Sequence, residues 1–232
     1  MTKLAPVLTT VSAAVQDYLK GLYALGEGAG ATEPVATNAI AGHLGVSAAS
    51  ATNMLKKLDG LGLVVHVPYR GVELTEPGRK IALEVLRHHR LLETYLAEAL
   101  GVPWDQVHAE AEVLEHHLSE ALEERISARL GHPTADPHGH PIPSKELTSP
   151  PPPDRTLWDT ADGQQLTVDR VSDADPEALR YLAYLEIVPG AQVEVRGRGP
   201  VGGPLFVRVE RDGALSDEQA ISKELAEAVW VL

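Results

Sequence analysis

The stretch that decides the architecture of the N-terminal half runs from Val35 to Leu74: VATNAIAGHLGVSAASATNMLKKLDGLGLVVHVPYRGVEL. Val35–Leu44 reads as a short helix, Gly45-Val46-Ser47 as a tight turn, and Ala48–Leu58 as a second helix capped by Ser47. Gly60-Leu61-Gly62 breaks that helix, and Leu63 to Leu74 then alternates apolar with polar around Pro68–Gly71, the pattern of a hairpin. Helix, turn, helix and β-wing in this order make a winged helix-turn-helix. Ile40, Leu44, Val46, Ala51, Leu55 and Leu58 form the expected buried face. Ser47, Ala49, Ser50, Thr52, Asn53, Lys56 and Lys57 are left outside on the second helix, short donors and acceptors followed by two cations. Such a surface suits the base edges and phosphates of a major groove, and Arg70 at the wing tip adds a phosphate contact. A helix that binds another protein has the same composition, so the pattern alone leaves both uses open.

Working outward, the charge is distributed to permit the first use. The 232-residue chain has a formal net charge of −13, but residues 1–75 carry five Lys/Arg and five Asp/Glu. Residues 76–132 carry six against eleven and residues 133–232 nine against seventeen, so the acidity lies downstream. A neutral reading head predicts DNA affinity that leans on dimerisation and hydrogen bonds as well as on counterion release. Apolar residues at 44% support packed cores, and aromatics at 4%, with a single Phe, leave those cores to Leu, Val and Ala. The absence of Cys excludes disulfides, zinc–thiolate clusters, iron–sulfur centres and thiol catalysis. No apolar run reaches bilayer length and no signal-peptide pattern opens the chain, so a cytoplasmic protein without a membrane partner is expected.

Composition separates the rest. Residues 133–156 hold eight of the seventeen prolines and end in Pro150-Pro151-Pro152-Pro153, a stiff spacer. Beyond it, 165–171, 192–196 and 205–210 alternate as half-buried strands, with a helix from Pro176 to Leu185 for which Asp175 is a plausible N-cap. The expected organisation is a winged helix-turn-helix at 1–75, a helical dimerisation and metal-binding domain at 76–140, a proline-rich linker at 141–156, and a small SH3-like β-barrel at 157–232. The fold class is thus mainly α in the N-terminal half with a β C-terminal domain.

Six of the ten histidines fall between residues 76 and 132, interleaved with carboxylates. His108, Glu112, Glu115 and His116 stand at i, i+4, i+7 and i+8 of one helix, a single stripe; His89 and Glu93 share a face of the preceding helix. Asp17 lies on an N-terminal helix, Val11–Leu25, among Val15, Leu19 and Leu22. Bare carboxylates repel one another, and a divalent ion removes that cost, so two stripes and a third-helix acid point to metal. Solvated Glu/His stripes paired with Arg90 or Arg125 are the bland alternative. The metalloprotease His-Glu-x-x-His signature is absent, and Gly197–Gly203 lacks the Lys-Ser/Thr of a phosphate-binding loop, so neither an enzyme nor a small-molecule substrate is expected.

The ordered set, namely the winged unit, His89-Arg90-Leu91-Leu92-Glu93, His108 through His116, Asp136-Pro137-His138-Gly139-His140-Pro141-Ile142-Pro143 and Leu225 through Val231, resembles the diphtheria toxin repressor and manganese transport regulator family in its three-domain form. The resemblance implies a metal-dependent transcriptional regulator, a homodimer on palindromic double-stranded operator DNA that represses metal-uptake genes. It implies a primary site from Asp17, Glu112, Glu115 and His116, and a second from His89, Glu93 and His108. Asp175 is the candidate to complete the second, with Ala178 where iron-type members have an amide; Glu177 is its neighbour, and the linker residues Asp136 and His138 are the other option. Sulfur-free O/N ligands favour Mn²⁺, with Fe²⁺ the alternative, at two ions per subunit. Lys20 stands where small manganese regulators have a second carboxylate, implying two separated sites and no bridged pair. A metal-buffering scaffold without DNA binding is the rival class.

Overall fold

The computed structural model describes residues 11–26, 33–151, 153–211 and 213–232; residues 1–10, on which the signal-peptide reading falls, and Pro152 of the proline run lie outside them. The chain groups into two compact units. One comprises Met1–Leu92, Ala111–Thr134 and Ile142–Pro152, the other Glu93–Glu110, Ala135–Pro141 and Pro153–Leu232. Among the described residues no helix is long and apolar enough to cross a membrane.

The first unit opens with α1 (Ala13–Gly26), α2 (Thr37–His43), α3 (Ala48–Gly60), β1 (Val64–Val67) and β2 (Gly71–Leu74), the two strands pairing antiparallel. This is the expected winged helix-turn-helix. Ser47 starts α3 by accepting the Ser50 amide on Oγ at 3.1 Å, which satisfies an orphan helix donor. The α2 helix is shorter than its apolar run because Val35 is taken into a β-bridge with Val72. Val15, Leu19, Leu22, Ile40, Ala51, Leu55, Leu58 and Ile81 are buried in one core, each large side chain worth about 1.5–3 kcal/mol on the hydrophobic scale. Val46 departs from expectation: it sits on the turn, 38% exposed.

The 25-residue α4 (Glu76–Leu100) is followed by α5 (Val107–Leu114), a 3₁₀ turn at Glu115–His117, and α6 (Glu120–Arg129), which Ser119 caps. The sequence stripe assumed one α-helix through His116. Instead the winding tightens at Glu115, where about three residues per turn replace 3.6 and the side-chain directions change.

The stretch read as a proline spacer is partly anchored. Ile142 and Pro143 are buried, Leu147 packs on the core of the first unit, and Arg87 Nη1 donates to Pro143 O at 2.7 Å. Proline forbids helix there, but its carbonyls still accept, and a buried guanidinium uses one.

In the second unit β3 (Gln165–Val171), α7 (Pro176–Tyr184), β4 (Gln192–Arg198), β5 (Leu205–Arg211), β6 (Ala214–Leu215), β7 (Gln219–Ile221), α8 (Lys223–Glu227) and β8 (Val229–Val231) follow in order. The sheet is antiparallel in the order β6-β5-β4-β3-β8, with β7 also on β5. Alternation puts Leu166, Val168, Val193, Val195, Leu205, Val207 and Val209 inward, so this core is aliphatic, as the scarcity of aromatics requires.

The wing depends on one glycine. Gly71 has φ 128°, and a Cβ there would meet Val35 O at 2.1 Å. Gly71→Ala is therefore expected to cost at least ~1 kcal/mol in urea denaturation. It should also speed hydrogen exchange at the Val35 and Val72 amides, which bond each other's carbonyls at 2.8 and 3.0 Å.

Candidate metal centres

In the first unit α1, α4 and the turn after α5 bring Asp17, Lys20, His89, Glu112, Glu115 and His116 together. Glu115 is fully buried; its Oε2 lies 2.5 Å from His89 Nδ1 and its Oε1 2.6 Å from Lys20 Nζ. Lys20 Nζ is also 2.6 Å from Glu112 Oε1, so one ammonium stands between two carboxylates. Burial alone would push Glu115 up, but His89 and Lys20 outweigh it and hold its carboxyl below the usual range. Burial would likewise strip the Lys20 proton, and the charges of Glu115 and Glu112 reverse that, raising Lys20. Asp17 is raised, chiefly by burial, although His116 and Lys20 pull the other way.

His116 defines the opening. Its Nδ1 lies 2.6 Å from Gln16 Oε1, an acceptor, so Nδ1–H faces Gln16 and Nε2 is turned toward the acids. Nε2 lies 2.9 Å from Asp17 Oδ1 and 3.6 Å from Glu115 Oε1. Three acceptors facing one point fit a cation, and Asp17, Glu115 and His116 offer ligand atoms within 4.8 Å of one another, as do His89, Glu112 and Glu115.

The second unit holds another such cluster. Glu93 Oε1 is 3.2 Å from His108 Nδ1, which is 3.5 Å from Asp173 Oδ2. The segment Asp136–His140 closes the other side, with His138 Nδ1 3.8 Å from Glu93 Oε2 and His140 Nδ1 3.4 Å from Asp136 Oδ2. His138 donates Nε2–H to Trp104 O at 2.8 Å and stacks on the Trp104 ring, with Nδ1 buried toward Glu93; burial would lower this imidazole, but Glu93 and Asp136 outweigh it and raise it. The segment is pinned because Asp136 Oδ1 accepts the His138 and His140 amides at 2.8 and 3.0 Å. Gly139, with φ 89°, lets it close on β3; a Cβ would meet Asp169 O at 2.2 Å.

Asp175 is corrected by this geometry. It is exposed, and its Oδ1 accepts the amides of Glu177 and Ala178 at 2.8 and 3.4 Å as the N-cap of α7. Glu177 is exposed as well. The acid that reaches the cluster is Asp173, two residues earlier. The signal was present: with Pro at the first helical position, Asp175 was already committed to backbone amides, which left Asp173 as the free acid of Asp173-Ala174-Asp175. His140 and Gln16 were also missed; an amide oxygen on α1 that fixes an imidazole tautomer leaves no periodic trace. On α3, Ser47, Ala49, Ser50, Thr52, Asn53, Lys56 and Lys57 are all exposed, as is Arg70 in the wing turn. The Thr52 hydroxyl donates to Ala48 O at 2.7 Å, so it offers an acceptor outward.

Three family profiles tile the chain. The iron-dependent repressor N-terminal DNA-binding domain matches residues 10–72, the iron-dependent repressor metal-binding and dimerisation domain 75–144, and the FeoA domain 155–232. The diphtheria toxin repressor of Corynebacterium jeikeium is 30% identical over 181 residues, covering 76% of this chain and 74% of that protein. The chain belongs to the iron-dependent repressor family. Other members of the family are closer over shorter stretches: the iron-dependent repressor IdeR of Mycobacterium tuberculosis is 41% identical over 104 residues, 45% of each chain, so the match spans less than half of that relative. Among solved structures, a manganese-dependent transcriptional repressor in complex with manganese superposes with a TM-score of 0.85 at 43% identity, covering 94% of this chain and 99% of that one.

The second cluster predicts a pH dependence for the metal-free chain. Hydrogen bonds to Asp173 and Glu93 raise His108 to about 10, and burial of Asp173 is outweighed by His108, which lowers the Asp173 carboxyl. The His108 contribution to stability is complete below its unfolded value of ~6.5 and is lost as pH rises through the folded value of about 10. That of Asp173 is present above ~3.9 and is lost as acid titrates its depressed folded value. Urea midpoints of wild type and His108→Gln should therefore differ most near neutrality and converge toward alkaline pH.

Proposed function

We propose that this chain is a divalent-metal-dependent transcriptional regulator, favouring Mn²⁺, that binds palindromic double-stranded operator DNA as a homodimer and represses metal-uptake genes. The reading rests on one observation above others: in a chain with an exposed helix-turn-helix, imidazole nitrogens and carboxylates from different elements converge within 4.8 Å of one another. Residues 1–75 would read DNA, the following helices would dimerise and hold metal, and 157–232 would be the SH3-like domain. Val113 at 68%, Leu114 at 42% and Leu122 at 49% exposure give the first unit an apolar surface suited to pairing with a second copy.

Two metal positions are proposed. Asp17, Glu112, Glu115 and His116, with His89 orienting Glu115, would hold one; Glu93, His108 and Asp173 with Asp136, His138 and His140 would hold the other. Both are sulfur-free, which suits hard Mn²⁺, and Fe²⁺ shares enough of that preference to be the second reading, consistent with the iron-dependent relatives. A bound ion supplies the positive charge that lets these carboxylates stay close. The chain does the rest. Asp17 belongs to α1, which packs in the core with α2 and α3, while Glu115 and His116 belong to the turn between α5 and α6. Holding them together fixes α3 relative to the pairing surface, and two such helices must sit about one DNA turn, ~34 Å, apart to read a palindrome.

Operator affinity measured by fluorescence anisotropy with and without Mn²⁺ tests this. Asp17→Ala and Glu112→Ala should each lose at least about tenfold of the metal-dependent gain. Lys56→Ala should weaken binding on all sequences and reduce the salt slope by about one, whereas Asn53→Ala should relax base preference. Variants that match wild type in both conditions would leave the scaffold reading in its place.

Lys20 gives a second test. Its ammonium competes with any cation shared by Glu112 and Glu115, at a charge separation where like charges repel by about 4 kcal/mol near a protein surface. Lys20→Ala should therefore tighten Mn²⁺ binding by tenfold or more, ~1.4 kcal/mol, read by isothermal titration calorimetry on the metal-free chain.

A further inference from the structure

A third cluster lies in the first unit, adjoining the Asp17–His116 centre but built from other side chains. His88 on α4 faces Glu120 and Glu123 in the first turn of α6, and the three offer ligand atoms within 4.8 Å of one another. His88 is 1% exposed. Its Nδ1 lies 3.3 Å from the carbonyl oxygen of Glu115, an acceptor only, so Nδ1 carries the ring proton and Nε2 is left as a lone pair. That Nε2 is buried without a hydrogen-bond partner and points at Glu123 Oε2, 3.5 Å away. A ring nitrogen aimed at a carboxylate oxygen needs positive charge between them, supplied by a proton or by a metal ion.

The surroundings are organised for such a group. Arg87 Nε donates to Glu123 Oε1 at 2.7 Å, which fixes that carboxylate and turns its second oxygen toward His88. Glu84, one turn before His88 on α4, is hydrogen-bonded to Glu120, and burial followed by that contact raises Glu84 to about 7. Two carboxyls that share a proton mark a place where negative charge is in excess. Three carboxyl groups face a single guanidinium, and a dication could displace the proton that Glu84 and Glu120 share.

We infer that His88, Glu120 and Glu123, with Glu84 beside Glu120, form an additional divalent-cation site of mixed imidazole and carboxylate character. Glu-x-x-x-His on α4 and Glu-x-x-Glu on α6 place these groups on facing helix surfaces. The ligand chemistry admits Zn²⁺ or Mn²⁺, with the imidazole favouring Zn²⁺. The site differs from the Asp17–His116 centre in its residues but touches it through the Glu115 carbonyl. An ion there would fix the His88 ring and, behind it, the turn that carries Glu115 and His116, the part a positioning shell plays around a metal.

The test uses the full chain and Zn²⁺ alone. Metal-free wild type, Glu120→Gln and Asp17→Asn/His116→Gln are dialysed to equilibrium against Zn²⁺ and the bound metal is counted by elemental analysis. Glu120 is on the surface, so Glu120→Gln should keep the wild-type circular dichroism spectrum while losing one Zn²⁺ per chain or binding it about tenfold more weakly. Adding Asp17→Asn/His116→Gln to it should remove a further, separate ion. The His88 Nε2 resonance, read by nitrogen-detected imidazole correlation, should shift on Zn²⁺ addition in wild type and not in Glu120→Gln. If Glu120→Gln binds the same number of ions with the same affinity, or the His88 ring does not respond, a proton alone fills the gap and the inference is overturned. Loss in Glu120→Gln with no loss in Asp17→Asn/His116→Gln would support this site and sink the centre proposed around Asp17.

Discussion

The structure is governed by the cost of holding carboxylates close together out of water. Glu115 is fully buried, and it is tolerated because Lys20 and His89 reach it at 2.6 and 2.5 Å. Removing one partner of such a pair leaves an uncompensated buried charge, a penalty of several kcal/mol. The packing of α1 against the turn after α5 is therefore an electrostatic matter as much as an apolar one. Lys20 serves as a tethered cation in this setting. It neutralises part of the cluster, at Glu112 and Glu115, and in the proposed function leaves the Asp17–His116 side for an ion.

Histidine tautomers recur as the device that gives each cluster its direction. His116 has Gln16 behind it, His138 has the Trp104 carbonyl, and His88 has the Glu115 carbonyl. In each case an acceptor behind the ring accepts one ring N–H and turns the other ring nitrogen forward, onto carboxylates. An imidazole without that backing would rotate or protonate, and its group of acids would repel and open. The backing group is a main-chain carbonyl twice and an amide oxygen once, which places this information in the fold and not in the residue types that a metal-binding pattern displays.

This is why the sequence revealed the fold more fully than the sites. The winged helix-turn-helix was legible because capping at Ser47, a 3.6-residue period through Ile40, Ala51, Leu55 and Leu58, and the Pro68–Gly71 turn are all local signals. The strands were legible from alternation at 165–171, 192–196 and 205–210, and the structure extends the last two to Arg198 and Arg211. Glu115 and His116 were placed on a stripe that exists only if α5 continues; the change to a 3₁₀ turn redirects them, and His89 from another helix becomes the partner of Glu115. Val35 was lost to a long-range β-bridge that no helical period announces. Asp175 shows a different failure, since it had two claims on it and the backbone amides of α7 held the stronger one.

For the proposed function, an acidic protein would have to read a polyanion, and the arrangement of groups bears on that electrostatic problem. Negative charge is concentrated downstream in clusters that cations can cancel, while α3 and the wing present Lys56, Lys57 and Arg70 in a region of no net charge. Binding a dication in such a cluster lowers the net charge of the unit that carries the reading helix, in addition to any ordering it brings. Both effects act in one direction, toward DNA. In the proposed regulator, ordering of α1 against the turn at Glu115–His117 and the loss of repulsion would add, and any coupling of metal and DNA binding would be reciprocal.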